Sequence, residues 1–104
     1  MLGGPLEELD RLAAFFEALS SPTRLRILEV VANTDRPLHI EAVAEALGLN
    51  YSATYRHVQV LRRQGLIRVY EVGRSRVLSI NRPQLLQQLL DMARRFLAEA
   101  SEPT

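Results

Sequence analysis

Residues 43–67 read VAEALGLNYSATYRHVQVLRRQGLI. Two short helical patterns meet here, with only Gly48 to Asn50 between them. Gly48 stops the first helix, as glycine does at a helix C-terminus. Asn50 is a favoured N-cap for the second. So short a glycine-containing link between helices is the mark of a helix-turn-helix. In the second helix, Tyr51 to Gln64, the residues Thr54, Val58 and Leu61 recur at i, i+4 and i+7 and form a narrow inward stripe. Gly65 ends it.

Working towards the N-terminus, Glu41 to Leu47 reads as a brief helix with Ala42, Val43, Ala46 and Leu47 inward. Leu38-His39-Ile40 is a short extended piece, and Asn33 to Pro37 is a turn. Pro22 to Ala32 is a helix with little polar face, capped by Ser21 and opened by Pro22, and so a central buried one. Leu6 to Leu19 carries apolar residues at 6, 9, 12, 13, 16 and 19, which is helical spacing.

Towards the C-terminus, Leu66 to Val72 and Val77 to Ile80 are extended runs around Gly73-Arg74-Ser75. Ile67, Val69 and Glu71 alternate with Leu66, Arg68, Tyr70 and Val72, and glycine at the tip favours a hairpin. Asn81 is the expected cap of a last helix with Pro83 in its first turn and an apolar stripe of Leu85, Leu86, Leu89, Leu90, Ala93, Phe96 and Leu97. A helix-turn-helix followed at once by a hairpin is a winged helix. The expected fold is mainly α with one small β-hairpin, and residues 1–104 form a single domain.

The charge is unevenly placed. Net charge over the chain is +1, but residues 51–82 hold seven arginines and one acid, Glu71. A local basic patch of this kind points to a polyanion partner, most often nucleic acid. There is no cysteine, which excludes disulfides and thiolate metal sites. No apolar run approaches the roughly 18 residues of a membrane span, and no signal pattern opens the chain, so a cytoplasmic place is expected. No nucleophile–base pair, phosphate loop or ligand cluster is present. The two histidines, His39 and His57, lie on different elements, so no enzyme and no cofactor is expected.

Three segments in order resemble the ArsR/SmtB-type winged-helix transcriptional regulators: LSSPTRLRILEVV at 19–31, the helix-turn-helix at 43–67, and YEVGRSRVLSI at 70–80, which is similar to the family's wing. The resemblance implies a homodimer on an operator, a repressor's action, and a small effector that changes DNA affinity. It also implies that the terminal helices form the dimer interface, which agrees with their broad apolar faces. The chain departs from the family at its metal sites. Where the family has a Cys-Val-Cys pattern, His39 and Glu41 stand here, too few to hold a metal alone. The last helix keeps Asp91, but residues 81–104 contain no histidine. No metal ligand set is therefore assigned. An organic ligand, temperature, a partner or no signal at all remain open as the effector.

With 54, 58 and 61 inward, the helix 51–64 turns Tyr51, Ser52, Tyr55, Arg56, Gln59 and Arg63 outward. Arg56 suits guanine and Gln59 suits adenine. Asn50 and Ser52 lie at the helix N-terminus, where phosphate is favoured. Tyr55 either meets DNA or lies along the helix against the wing. Arg74 and Arg76 at the hairpin tip are expected over a phosphate or in the minor groove. His57 is expected to pack towards the wing or the second helix. The DNA-facing set is thus Asn50, Tyr51, Ser52, Tyr55, Arg56, Gln59, Arg63, Arg74 and Arg76. The expected target is double-stranded DNA with an inverted repeat. The competing reading, a winged helix that only binds other proteins, is disfavoured by the arginine excess.

Overall fold

The computed structural model of the chain describes residues 5–100. The elements run α1 (Pro5–Leu19), α2 (Pro22–Ala32), β1 (Leu38–His39), α3 (Ile40–Leu47), α4 (Tyr51–Arg63), β2 (Ile67–Val72), β3 (Ser75–Ile80) and α5 (Pro83–Ala100). The three strands form one antiparallel sheet in the order β1-β3-β2. This is a winged helix-turn-helix.

The core lies where α2, α3, α4 and the sheet meet. Ile27, Leu28 and Val31 from α2 pack with Ile40 and Val43 from α3, Val58 and Leu61 from α4, and Ile67 and Leu78 from the hairpin. In α2, Ser21 accepts a hydrogen bond from the Arg24 amide through its side chain, so the expected cap is present. Leu25 lies outside the buried set, 38% exposed, so α2 is buried on one face only.

Three local expectations change. Helix α3 begins at Ile40, and the buried set is Ile40, Val43 and Ala44, while Ala42 and Ala46 are exposed. Starting one residue earlier makes Ile40 the anchor, and the i, i+3, i+4 set that follows leaves Ala42 and Ala46 to the side. The hairpin loop is shorter than expected. Val72 pairs with Ser75, so the loop is Gly73-Arg74, and Ser75 and Arg76 belong to β3. Gly73 alone takes a positive φ there, 63°, as glycine does at the first central position of a type II′ turn.

Asn81 does not cap α5. Its side chain donates to the Gly65 carbonyl at 2.8 Å and accepts from Arg68 Nε at 2.9 Å, tying the base of the hairpin to the end of α4. The Arg82 carbonyl accepts the Leu86 amide, and Arg82 itself sits at φ 57°. The apolar stripes of α1 and α5 largely miss the core, in keeping with the expectation that a second copy covers them. From α1, Ala18 is buried and Phe15 and Leu19 pack against the core, whereas Leu6, Leu9, Leu12 and Phe16 are exposed. From α5 only Leu86 is buried, and Phe96 is 74% exposed.

Candidate nucleic-acid interface

Helix α4 is fixed at both ends and along one side. Asn50 Oδ1 accepts from the Ala53 amide at 2.8 Å, so this side chain serves as the N-cap. At the other end, Gly65 at φ 74° lets its own amide reach the Arg62 carbonyl and the Leu66 amide reach Leu61, a Schellman closure. Thr54, Val58 and Leu61 are fully buried, as their spacing predicts. The Thr54 hydroxyl donates to the Asn50 carbonyl at 2.9 Å, so its burial leaves no orphan polar atom.

On the opposite side, Ser52, Arg56 and Arg63 are exposed, with Gln59 half-buried among them. These four positions follow the i, i+4, i+7 and i+11 rise of one helical face. Arg56 and Arg63 make no hydrogen bond or ion pair among the described residues. Arg62 Nη1 donates to Gln59 Oε1 at 3.3 Å, so the Gln59 amide is oriented within the helix. Arg62 was absent from the expected set, and its three-residue spacing from Gln59 is the sequence signal for this contact.

The flank of α4 next to the hairpin is aromatic. Tyr51 and Tyr55 lie one helical turn apart, with ring centroids 6.2 Å apart and planes within 8°. Arg76 reaches them from β3. Its Nη1 donates to the Tyr51 hydroxyl at 2.8 Å, and its guanidinium carbon lies 4.6 Å from the Tyr55 ring centroid. That distance is within cation–π range. Tyr55 thus lies against the wing, half-buried, and Arg76 does not project from the tip. Arg74, in the two-residue loop, is exposed and has no hydrogen bond or ion pair among the described residues. At the base of the wing, Arg68 is engaged with Asn81 and with Tyr70, whose phenol it draws below the ordinary tyrosine range by hydrogen bonding.

His57 faces α2, one of its two expected neighbours. Arg24 Nη1 stands 3.3 Å from His57 Nδ1, while Arg24 Nε and Nη2 donate to the carbonyls of Ala18 and Glu17 at 2.7 and 3.0 Å. An arginine only donates, so Nδ1 accepts and the ring proton sits on Nε2. Burial lowers the His57 pKa from 6.5, and the charges of Arg24 and Arg56 lower it further. Arg24 belongs to the 19–31 motif, yet its bracing of α1 against α4 was not legible there. The contact joins residues 33 positions apart.

Among the described residues, no group of three His, Cys, Asp or Glu side chains is placed to hold a metal ion. Nor is any helix among them long and apolar enough to cross a membrane. A groove of about 690 Å³ lies between α1 and the start of α5, lined by Phe15, Leu66, Leu85 and Leu89 among others.

Residues 19–70 match a helix-turn-helix domain family. The HTH-type transcriptional regulator Rv0081 of Mycobacterium tuberculosis is 36% identical over 94 residues, covering 90% of this chain and 79% of that one. Its crystal structure superposes with a TM-score of 0.74 at 32% identity, covering 94% of both chains. The HTH-type transcriptional regulator NmtR of the same organism is 39% identical over 83 residues, covering 80% of this chain and 67% of its own. The solution structure of the homodimeric winged helix-turn-helix DNA-binding domain of Mb0332 from Mycobacterium bovis, described as a possible ArsR-family regulator, gives a TM-score of 0.77 at 24% identity over the full length of both. With the outward arginine face of α4 and the wing beside it, these likenesses make the chain a member of the ArsR/SmtB-type winged-helix family of DNA-binding transcriptional regulators.

Proposed function

We propose that this chain is a homodimeric, cytoplasmic repressor that reads an inverted-repeat operator. Helix α4 enters the major groove and the wing holds the adjacent backbone or minor groove. The observation that carries this reading is the stripe of Ser52, Arg56, Gln59 and Arg63 opposite the buried Thr54, Val58 and Leu61. In it Arg56 takes guanine and Gln59 takes adenine, the latter after releasing Arg62. Ser52 and the Asn50-capped helix start meet a phosphate. Tyr51, Tyr55 and Arg63 border the groove, and Arg74 reaches backbone or minor groove from the wing tip. Arg76 joins this surface through Tyr51 and Tyr55.

Residues 1–104 are taken as one such domain. The dimer is supported by the exposed apolar faces of α1 and α5, and by the homodimeric state of the Mb0332 domain. Repression is supported by a further relative, the transcriptional repressor SmtB homolog of Synechocystis, 33% identical over 70 residues. An effector, if one acts, is an organic ligand, temperature or a partner, since the family's cysteine pattern and last-helix histidine are missing from this sequence.

The test is a selection of bound duplexes from random DNA, followed by titration of the selected site. Arg56→Ala is expected to lose about 1–3 kcal/mol of preference for that site over random duplex. Arg74→Ala is expected to weaken all duplexes alike and to reduce the slope of log K against log salt by about 0.9. Retention of full operator preference by Arg56→Ala would sink the assignment of the α4 face.

A further inference from the structure

We propose that Arg76 is a positioning residue: it braces the wing against α4 through Tyr51 and Tyr55, and so fixes the distance between the base-reading face and the wing tip. The inference deepens the DNA-binding reading and rests on it.

Strand alternation aims Arg76 at α4. In β3, positions 76, 78 and 80 share a face, and Leu78 on that face is fully buried in the core. Arg76 therefore points inward along the hairpin, while Arg74 stands in the loop. The distal hairpin needs such an anchor. Strand β1 pairs with β3 only at Val77 and Leu78, so from Arg76 to the loop the wing is a ribbon of two strands. Two isolated strands are marginally stable in water. The Arg76 contacts to the Tyr51 hydroxyl and the Tyr55 ring hold that ribbon to α4, which is capped, closed at its end and buried along one face.

The chemistry of the triad also decides what Tyr51 offers. A phenol has one O–H donor and can also accept. Because the Tyr51 oxygen already accepts from Arg76 at 2.8 Å, its own O–H remains to donate outward. The adjoining cation strengthens it as a donor to a phosphate oxygen. Arg76 thereby acts on DNA by polarising the Tyr51 hydroxyl, with no phosphate contact of its own. A wing held in place before encounter spares the complex the ordering cost of placing Arg74 afterwards. It also makes binding depend on whether α4 and the wing tip engage in the same register.

Two measurements separate this role from a direct phosphate contact and from failure of the DNA reading. The first uses the free protein: hydrogen exchange of the β3 amides at 75–77 and their β2 partners. Arg76→Lys and Tyr51→Phe are each expected to speed exchange there by about tenfold or more, with the α2 and α3 amides unchanged. Unchanged exchange in both variants would overturn the brace whatever the DNA results. The second compares the operator with random duplex over a salt series. With a brace, Arg76→Lys behaves like Arg76→Ala: operator preference falls several-fold and the salt slope stays at the wild-type value. With a direct contact, Arg76→Lys retains wild-type binding and Arg76→Ala lowers the slope by about 0.9, as for Arg74→Ala; that result overturns the proposal. Accelerated exchange in a protein that binds no duplex at low salt would leave the brace standing and remove the DNA reading.

Discussion

Arg24 is bonded at three points, to the carbonyls of Ala18 and Glu17 and to His57 Nδ1. The two carbonyls belong to the last turn of α1, where positive charge offsets the helix dipole. Arg24→Ala is expected to destabilise the chain by about 1.5–3 kcal/mol, the scale of hydrogen bonds made by a charged group, as read from a urea midpoint. His57 gives a pH signature of known sign. Its folded-state pKa lies below 6.5, first through burial and then through Arg24 and Arg56. As pH falls through 6.5 the unfolded chain takes up the proton first, so stability declines until the lowered folded value is passed. Above 6.5 both states are neutral and the effect vanishes. Urea midpoints between pH 5 and 7.5 should show this decline, and His57→Gln should lessen it. From sequence, His57 had two candidate neighbours, because a helical position fixes a direction but not what stands there.

At the scale of the element, α4 was legible almost to the residue. Asn50 as cap, Gly65 as stop and the stripe at 54, 58 and 61 are local chemistry, and the structure keeps all of them. Gly65 is required by its backbone: at φ 74° a Cβ would have room, with Asn81 Nδ2 the nearest atom at 3.9 Å, but not a comfortable dihedral. Gly65→Ala should therefore cost about 1–2 kcal/mol from the left-handed conformation alone, measured by thermal or urea unfolding. The elements misread were those whose ends are set from outside. Ser75 and Arg76 are strand because Val72 and Glu71 pair with them across the hairpin. Asn81 has the side chain of a cap, yet Gly65 and Arg68 claim it first. Alternation carried back from the buried Leu78 is the signal that puts Arg76 on the helix side of the wing.

For the whole molecule, the radius of gyration is 15.6 Å. A compact domain of this length measures about 13 Å. The excess is consistent with terminal helices that lean on the core only through Phe15, Ala18, Leu19, Leu86 and their half-buried neighbours. Leu6, Leu9, Leu12, Phe16, Leu85, Met92 and Phe96 are exposed on these two helices, the kind of apolar face that marks an interaction site. Leu12→Glu combined with Phe96→Glu should convert a dimer to a monomer in sedimentation velocity, with helix content retained because neither residue belongs to the core. A wild-type chain that sediments as a monomer at tens of micromolar would overturn the dimer.

The sequence by itself determined the order of helices and strands, the winged fold, the buried stripe of α4 and the basic character of the segment beside it. Each of these is written in local spacing, in caps and in composition. The tertiary structure decided the destinations of side chains: Arg24 to His57, Asn81 to Gly65, Arg76 to Tyr51 and Tyr55. It also decided which faces of α1 and α5 stay uncovered. The physical reason is that an arginine or an asparagine bonds whatever acceptor the fold brings within reach. That acceptor is supplied by residues distant in the chain, 33 positions away for Arg24 and 25 for Arg76.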